Sequence, residues 1–158
     1  MSEKKILIVD YDKKSLDKMA SLFDSYDFQI LKAADGQEAY EKYKSEKPDL
    51  ILLEAMLPKY HGFDLTQKIS TETKGSLPIV IVTGLYKGPQ YRNEALRSFG
   101  ASDYFEKPFD EKKLIQSIMN LLQDETDIEE ELPQPEDVKK ILRQMGPEAS
   151  SSKKNKSS

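Results

Sequence analysis

Pro48-Asp49-Leu50-Ile51-Leu52-Leu53-Glu54 holds four consecutive apolar residues between a Pro-Asp pair and a glutamate. A short apolar run without polar alternation reads as a strand buried on both faces, and such strands belong to parallel sheets covered by helices. Ile6-Leu7-Ile8-Val9 and Ile79-Val80-Ile81-Val82 repeat the pattern, each ending at a polar residue. Gln29 to Lys32 and Asp103 to Phe105 are weaker candidates that raise the expected count to five strands.

Between the runs the period lengthens to that of a helix. Leu16, Met19, Ala20, Leu22 and Phe23 keep the spacing of one helix face, with Asp12 placed to cap them. A second helix is expected from Gly36 to Glu46, ending before Lys47-Pro48 because a residue preceding proline is pushed into extended backbone. Leu65 and Ile69 mark a third, and Tyr91, Ala95, Leu96 and Phe99 a fourth that Gly100 stops. Leu114, Ile115, Ile118, Met119 and Leu122 form the apolar stripe of a fifth. Strict alternation of strand and helix predicts an α/β fold with a doubly wound parallel sheet, whose functional groups gather at the carboxyl ends of the strands.

The 158 residues carry 28 acids against 24 bases, a formal net charge of -4, which suits a soluble surface and gives no broad basic footprint for nucleic acid. There is no cysteine and a single histidine, so disulfides, thiolate chemistry and a histidine-rich metal site are excluded. His61 sits between Tyr60 and Gly62 in a loop and is expected to face solvent. No stretch has the length of a signal-peptide core or a membrane span, so a cytoplasmic location and no membrane partner are expected.

Residues 1–123 are read as one domain. Residues 124–134 form an acidic, Pro-containing linker, and 135–146 a short amphipathic helix with Val138, Ile141, Leu142 and Met145 on one face. Residues 147–158, almost entirely Ser, Lys and Asn from Ala149 onward, cannot bury enough apolar surface to offset ordering entropy and are expected to be disordered. A helix of about three turns is marginal alone, so its stripe is expected to dock, in a partner's groove in preference to its own domain. The roughly 35 residues after the first domain are too few for a helix-turn-helix with its own core, which leaves protein contact as the expected output.

The residues at or just past the strand ends are Asp10, Glu54, Thr83 and Lys107: two carboxylates, a hydroxyl and an ammonium. The topology rule brings them to one crevice. Each alone has a structural reading as a cap, a strand end or a surface turn. An α/β acid-base hydrolase using Asp10, Glu54 and Lys107 would also fit, but the chain has no Gly-rich phosphate loop, nucleophile elbow or metal cluster.

Several strings resemble, in order, the receiver domains of response regulators in bacterial two-component systems: Ile6 to Asp10, Pro48 to Leu53, Met56-Leu57-Pro58 with Gly62-Phe63, Val82-Thr83, and Tyr104-Phe105-Glu106-Lys107-Pro108-Phe109. The resemblance implies a flavodoxin-like sheet in strand order 2-1-3-4-5. It also implies a strand-end aspartate that takes a phosphoryl group from a histidine kinase, with Mg²⁺ held by acidic residues and a backbone group at Met56. Thr83 and Lys107 would bind the phosphoryl oxygens, Lys107-Pro108 would be a cis peptide, and Tyr104 would turn inward to reshape the partner face built by the fourth helix, fifth strand and fifth helix. Phosphoryl transfer depends mainly on positioning and charge stabilisation, which such a site supplies.

The chain departs from that pattern where the chemistry is done. Glu54 stands at the acceptor position, and Tyr11 replaces the acid that resembles the direct metal ligand, leaving Asp10. Mg²⁺ demands near-octahedral oxygen ligation, so its binding is expected to be weak and no cofactor is required. One extra methylene carries the carboxylate about 1.5 Å outward, toward Thr83 and Lys107, into part of the space of a phosphoryl group. Mimicry would be partial, with one charge against nearly two. The expectation is a non-enzymatic pseudo-receiver that binds proteins without phosphorylation, with a homodimer allowed. Phosphorylation at Asp10 or Asp12 and a site fallen out of use remain alternatives. A mimic requires the Glu54 carboxylate near both Lys107 and Thr83, with Tyr104 inside.

Overall fold

The computed structural model describes residues 3–123, and the readings for residues 124–158 lie outside them. Strand and helix alternate as β1 (Lys4–Val9), α1 (Lys13–Ser21), β2 (Phe28–Ala33), α2 (Gly36–Glu46), β3 (Leu50–Leu53), α3 (Gly62–Thr73), β4 (Ile79–Thr83), α4 (Pro89–Arg97), β5 (Asp103–Glu106) and α5 (Glu111–Leu122). Every pairing in the sheet is parallel, and the order is β2-β1-β3-β4-β5, the doubly wound order expected. The direction of winding switches between β1 and β3, where this topology opens a crevice at the carboxyl ends.

Side chains alternate across a strand, so the continuous apolar runs feed two cores at once. Leu7, Val9, Ile51, Leu53, Ile79 and Ile81 face Ala39 of α2, Leu65 and Ile69 of α3 and Ala95 of α4. Ile6, Ile8, Leu50, Leu52, Val80 and Val82 face Leu16 and Met19 of α1 and Leu114 and Ile118 of α5. All twelve strand residues are fully buried, each contributing roughly 1.5–3 kcal/mol over exposure. β2 is an edge strand, half exposed along most of its length, which explains its weak signal.

Local chemistry sets the helix ends. Asp35 accepts from the Glu38 amide at 2.7 Å while Glu38 reaches back to the Ala34 amide at 2.8 Å, closing the first turn of α2. Lys47 ends that helix in the left-handed region at φ 51°, not in the extended backbone expected of a residue before proline. Asp12 does occupy the N-cap of α1, but its side chain makes no capping bond. That helix stops at Ser21, and Phe23 reaches the core from beyond it, edge-on to Phe28 with ring centroids 5.9 Å apart. Likewise α4 stops at Arg97, and Phe99 stacks on Phe63 at 5.4 Å before Gly100 turns the chain at φ 85°.

Candidate functional site

Register alone places the strand-end residues together. Val9 pairs with Leu53, so Asp10 and Glu54 emerge side by side. Thr83 pairs with Glu106, so Lys107 follows it, with the Lys107 amide donating to the Thr83 carbonyl at 2.8 Å. The Lys107–Pro108 bond is cis.

The Lys107 ammonium is the hub. It lies 3.0 Å from Asp10 Oδ2 and 3.2 Å from Glu54 Oε1, and it donates to Ser15 Oγ at 3.0 Å. Its three N–H bonds therefore have three acceptors. Burial works against the charged form, but the hydrogen bond and charge of Asp10, helped by Glu54, outweigh it and hold the amine above its ordinary pKa. Asp10 is 1% exposed and Glu54 5%. The other oxygens of both acids are occupied by main chain, Asp10 Oδ1 by the Asp12 amide at 3.0 Å and Glu54 Oε2 by the Met56 amide at 3.1 Å.

Thr83 is fully buried, but its hydroxyl oxygen accepts from the amides of Leu85 at 3.2 Å and Tyr86 at 3.5 Å. Among the described residues it makes no hydrogen bond to Glu54, so of the two contacts required of a mimic only the one to Lys107 is present. Tyr104 is turned inward, 3% exposed, and its hydroxyl donates to the Tyr86 carbonyl. Burial, with the charges of Glu106 and Glu54 nearby, raises its phenol well above the ordinary value. Outside it, Arg92 donates to the Tyr104 carbonyl at 2.7 Å and lies 3.3 Å from Asp103, fastening α4 to β5.

Two participants went unread in the sequence. Ser15, the third acceptor of Lys107, looks from its position like one more residue of a first helical turn. His61 was expected in solvent and is instead partly buried: Nδ1 accepts from the Phe63 amide at 3.1 Å, capping α3, and Nε2 lies 3.1 Å from the Tyr86 hydroxyl. Its ring packs 5.2 Å from Phe63 and 5.4 Å from Tyr86, which joins it through Phe63 to the Tyr104 pocket. Tyr86, 25 residues away, leaves no local signal.

Tyr11 is 56% exposed and brings no carboxylate to the cleft, which has a volume of about 470 Å³ and includes Asp12 and Ser15 in its wall. Among the described residues no three His, Cys, Asp or Glu side chains are grouped to hold a metal ion. Among them, too, no helix is long and apolar enough to cross a membrane.

Residues 6–119 match the family model of the response regulator receiver domain. Over 119 residues the chain is 31% identical to Protein PilH of Pseudomonas aeruginosa, covering 75% of this chain and 97% of that one. It is 32% identical over 111 residues to the alkaline phosphatase synthesis transcriptional regulatory protein PhoP of Bacillus subtilis, spanning 70% of this chain but 45% of PhoP. The structure superposes with a TM-score of 0.69 at 29% identity on a chain of the CheX-CheY-BeF3-Mg²⁺ complex from Borrelia burgdorferi, covering 77% of this chain and 90% of that chain.

Proposed function

The chain belongs to the response regulator receiver family, signalling modules of two-component systems, and from that premise we propose that it binds proteins without being phosphorylated. The contact between Glu54 and Lys107, 3.2 Å long with Tyr104 already inside, carries the reading. Glu54 occupies the ammonium that a phosphoryl oxygen would otherwise take, and Ser15 and Asp10 occupy its remaining N–H bonds. An incoming phosphoryl group would have to displace a carboxylate already in place. The partner face is that of α4, β5 and α5, where Arg92 fastens the inward Tyr104 and a hollow of about 450 Å³ opens between Arg92, Phe105, Phe109 and Lys113.

The side chains at the crevice do not fit the Mg²⁺ site of the family. Asp10 is committed to Lys107 and to the Asp12 amide, Tyr11 supplies no carboxylate, and the two oxygens of Glu54 are held by Lys107 and the Met56 amide. A hard cation needing six oxygens near 2.1 Å is left without a cage. For the same reason we assign no catalytic turnover to Asp10, Glu54 and Lys107: both acids are tied to the ammonium and to main-chain amides, and neither is left free to act as a base. The Thr83 hydroxyl, which makes no hydrogen bond to Glu54 among the described residues, favours a second reading, in which the site is silent and the fold a fixed scaffold.

Intact-mass measurement after incubation with acetyl phosphate and Mg²⁺ is expected to show no phosphoryl adduct on the full chain. An adduct mapped to Glu54, Asp10 or Asp12 overturns the proposal. NMR of tyrosine rings separates the two readings, because Glu54→Ala releases Tyr104 from its buried environment if Glu54 sets the state and leaves it unchanged if the site is silent.

A further inference from the structure

Tyr11, Met56 and Leu85, 56%, 38% and 56% exposed, are the exposed large apolar side chains among the described residues. They stand on three different loops, after β1, β3 and β4, yet all three line the same cleft above Asp10, Glu54 and Lys107. Scattered singly, such residues need no explanation, but an apolar rim converging on one polar floor marks an interaction site. The floor is electrically unbalanced. Asp10, Asp12 and Glu54 line the cleft against one ammonium, a formal excess of two negative charges, and two of these acids are nearly inaccessible to water. Uncompensated charge in such a place is costly and favours an incoming cation.

The cation that fits is organic. A divalent ion lacks its cage, whereas a guanidinium brings donors in a planar fork to carboxylate oxygens that retain free lone pairs, stacks on an exposed tyrosine ring and tolerates partial desolvation. We infer that this cleft docks a partner protein through an arginine side chain flanked by apolar residues, the arginine seated over Glu54 and Asp10 beside the Tyr11 ring, and its neighbours on Met56 and Leu85. This surface is separate from the face of α4, β5 and α5, and the inference stands whether or not Glu54 sets the position of Tyr104.

The test uses the full chain, isotope-labelled for NMR, and two synthetic amphipathic helical peptides identical except that one carries arginine and the other citrulline, its neutral isostere, among leucines. The arginine peptide is expected to bind saturably and to shift the amides of Tyr11, Met56 and Leu85, and the citrulline peptide to bind about tenfold more weakly, as loss of a charge-assisted pair implies. Glu54→Gln narrows that difference, and if it disturbs the fold, Asp12→Asn on the exposed rim serves instead. Leu85→Ser weakens both peptides. Equal binding of the two peptides to the unaltered chain, shifts confined to another face, or no saturation by the arginine peptide each overturns the inference.

Discussion

Replacing Lys107 by methionine removes the one ammonium that the described residues bring to a crevice holding two buried acids. In the intact chain its N–H bonds reach acceptors at 3.0, 3.2 and 3.0 Å, and both carboxylates are at most 5% exposed. Deleting one partner of a buried pair costs about 3–5 kcal/mol, because the other charge stays buried without its counterion. The Lys107 side chain is itself 24% exposed, so water partly replaces it. The low end applies, about 3 kcal/mol. With a urea m-value of about 1.5 kcal/mol/M the unfolding midpoint of Lys107→Met falls by about 2 M. Adding Glu54→Gln leaves one buried charge where there were two and is expected to return about half of the loss, a coupling that a double-mutant cycle isolates. A midpoint shift below about 0.5 M, or no recovery in the double variant, would refute the claim that both carboxylates depend on this one ammonium.

Restoring the family acids with Tyr11→Asp and Glu54→Asp together is expected to recover phosphoryl incorporation from acetyl phosphate with Mg²⁺, with each single change recovering less; a Glu54→Asp single variant as active as the double would show Tyr11 to be irrelevant. Lys107 has a folded-state pKa above its ordinary 10.5, so its stabilisation is fully present below that value and is lost as pH rises through the folded one. Urea midpoints should therefore converge for the intact chain and Lys107→Met only on the alkaline side of this value, and convergence at neutral pH contradicts it. His61→Ala removes the acceptor of the Phe63 amide and the neighbour of the Tyr86 hydroxyl, and should cost about 1 kcal/mol, the usual worth of an N-cap, with added mobility around Tyr86 in relaxation measurements. An unchanged melting temperature would mean that the imidazole is incidental to α3.

The central strands were legible because β1, β3 and β4 each hold four consecutive apolar residues buried on both faces. The bounds of α2 were legible because Pro48 and the helical spacing of Ala39, Tyr40 and Tyr43 both point to them. Side chains that answer to distant partners were not. Asp10, Glu54 and Lys107 could be placed by the strand-end rule, since parallel register fixes where each side chain emerges. The rule says nothing of which hydrogen bonds they choose. Mimicry required the Glu54 carboxylate near the Thr83 hydroxyl; that oxygen accepts from two amides of the following loop, and among the described residues no hydrogen bond joins it to Glu54. Ser15 gains its role from a residue 92 positions away and His61 its contact with Tyr86 from one 25 away, beyond any window over which periodicity can be read, while the local cap of His61 on the Phe63 amide was hidden because histidine is not among the usual N-cap residues.

The alternation along β5 sends Tyr104 into the core beneath α2, α3 and α4, and Phe105 against the core beneath α1 and α5. The sheet thus acts as a partition, with the aromatic that could move on one side and the two helices that close the other side bearing on different strand residues. A repacking around Tyr104 runs through Phe63, Tyr86 and His61 without disturbing Leu16, Met19, Leu114 or Ile118. The α1 and α5 layer is thereby set apart from the aromatic cluster around Tyr104, although α1 still brings Ser15 to Lys107 and α5 still borders the proposed partner face.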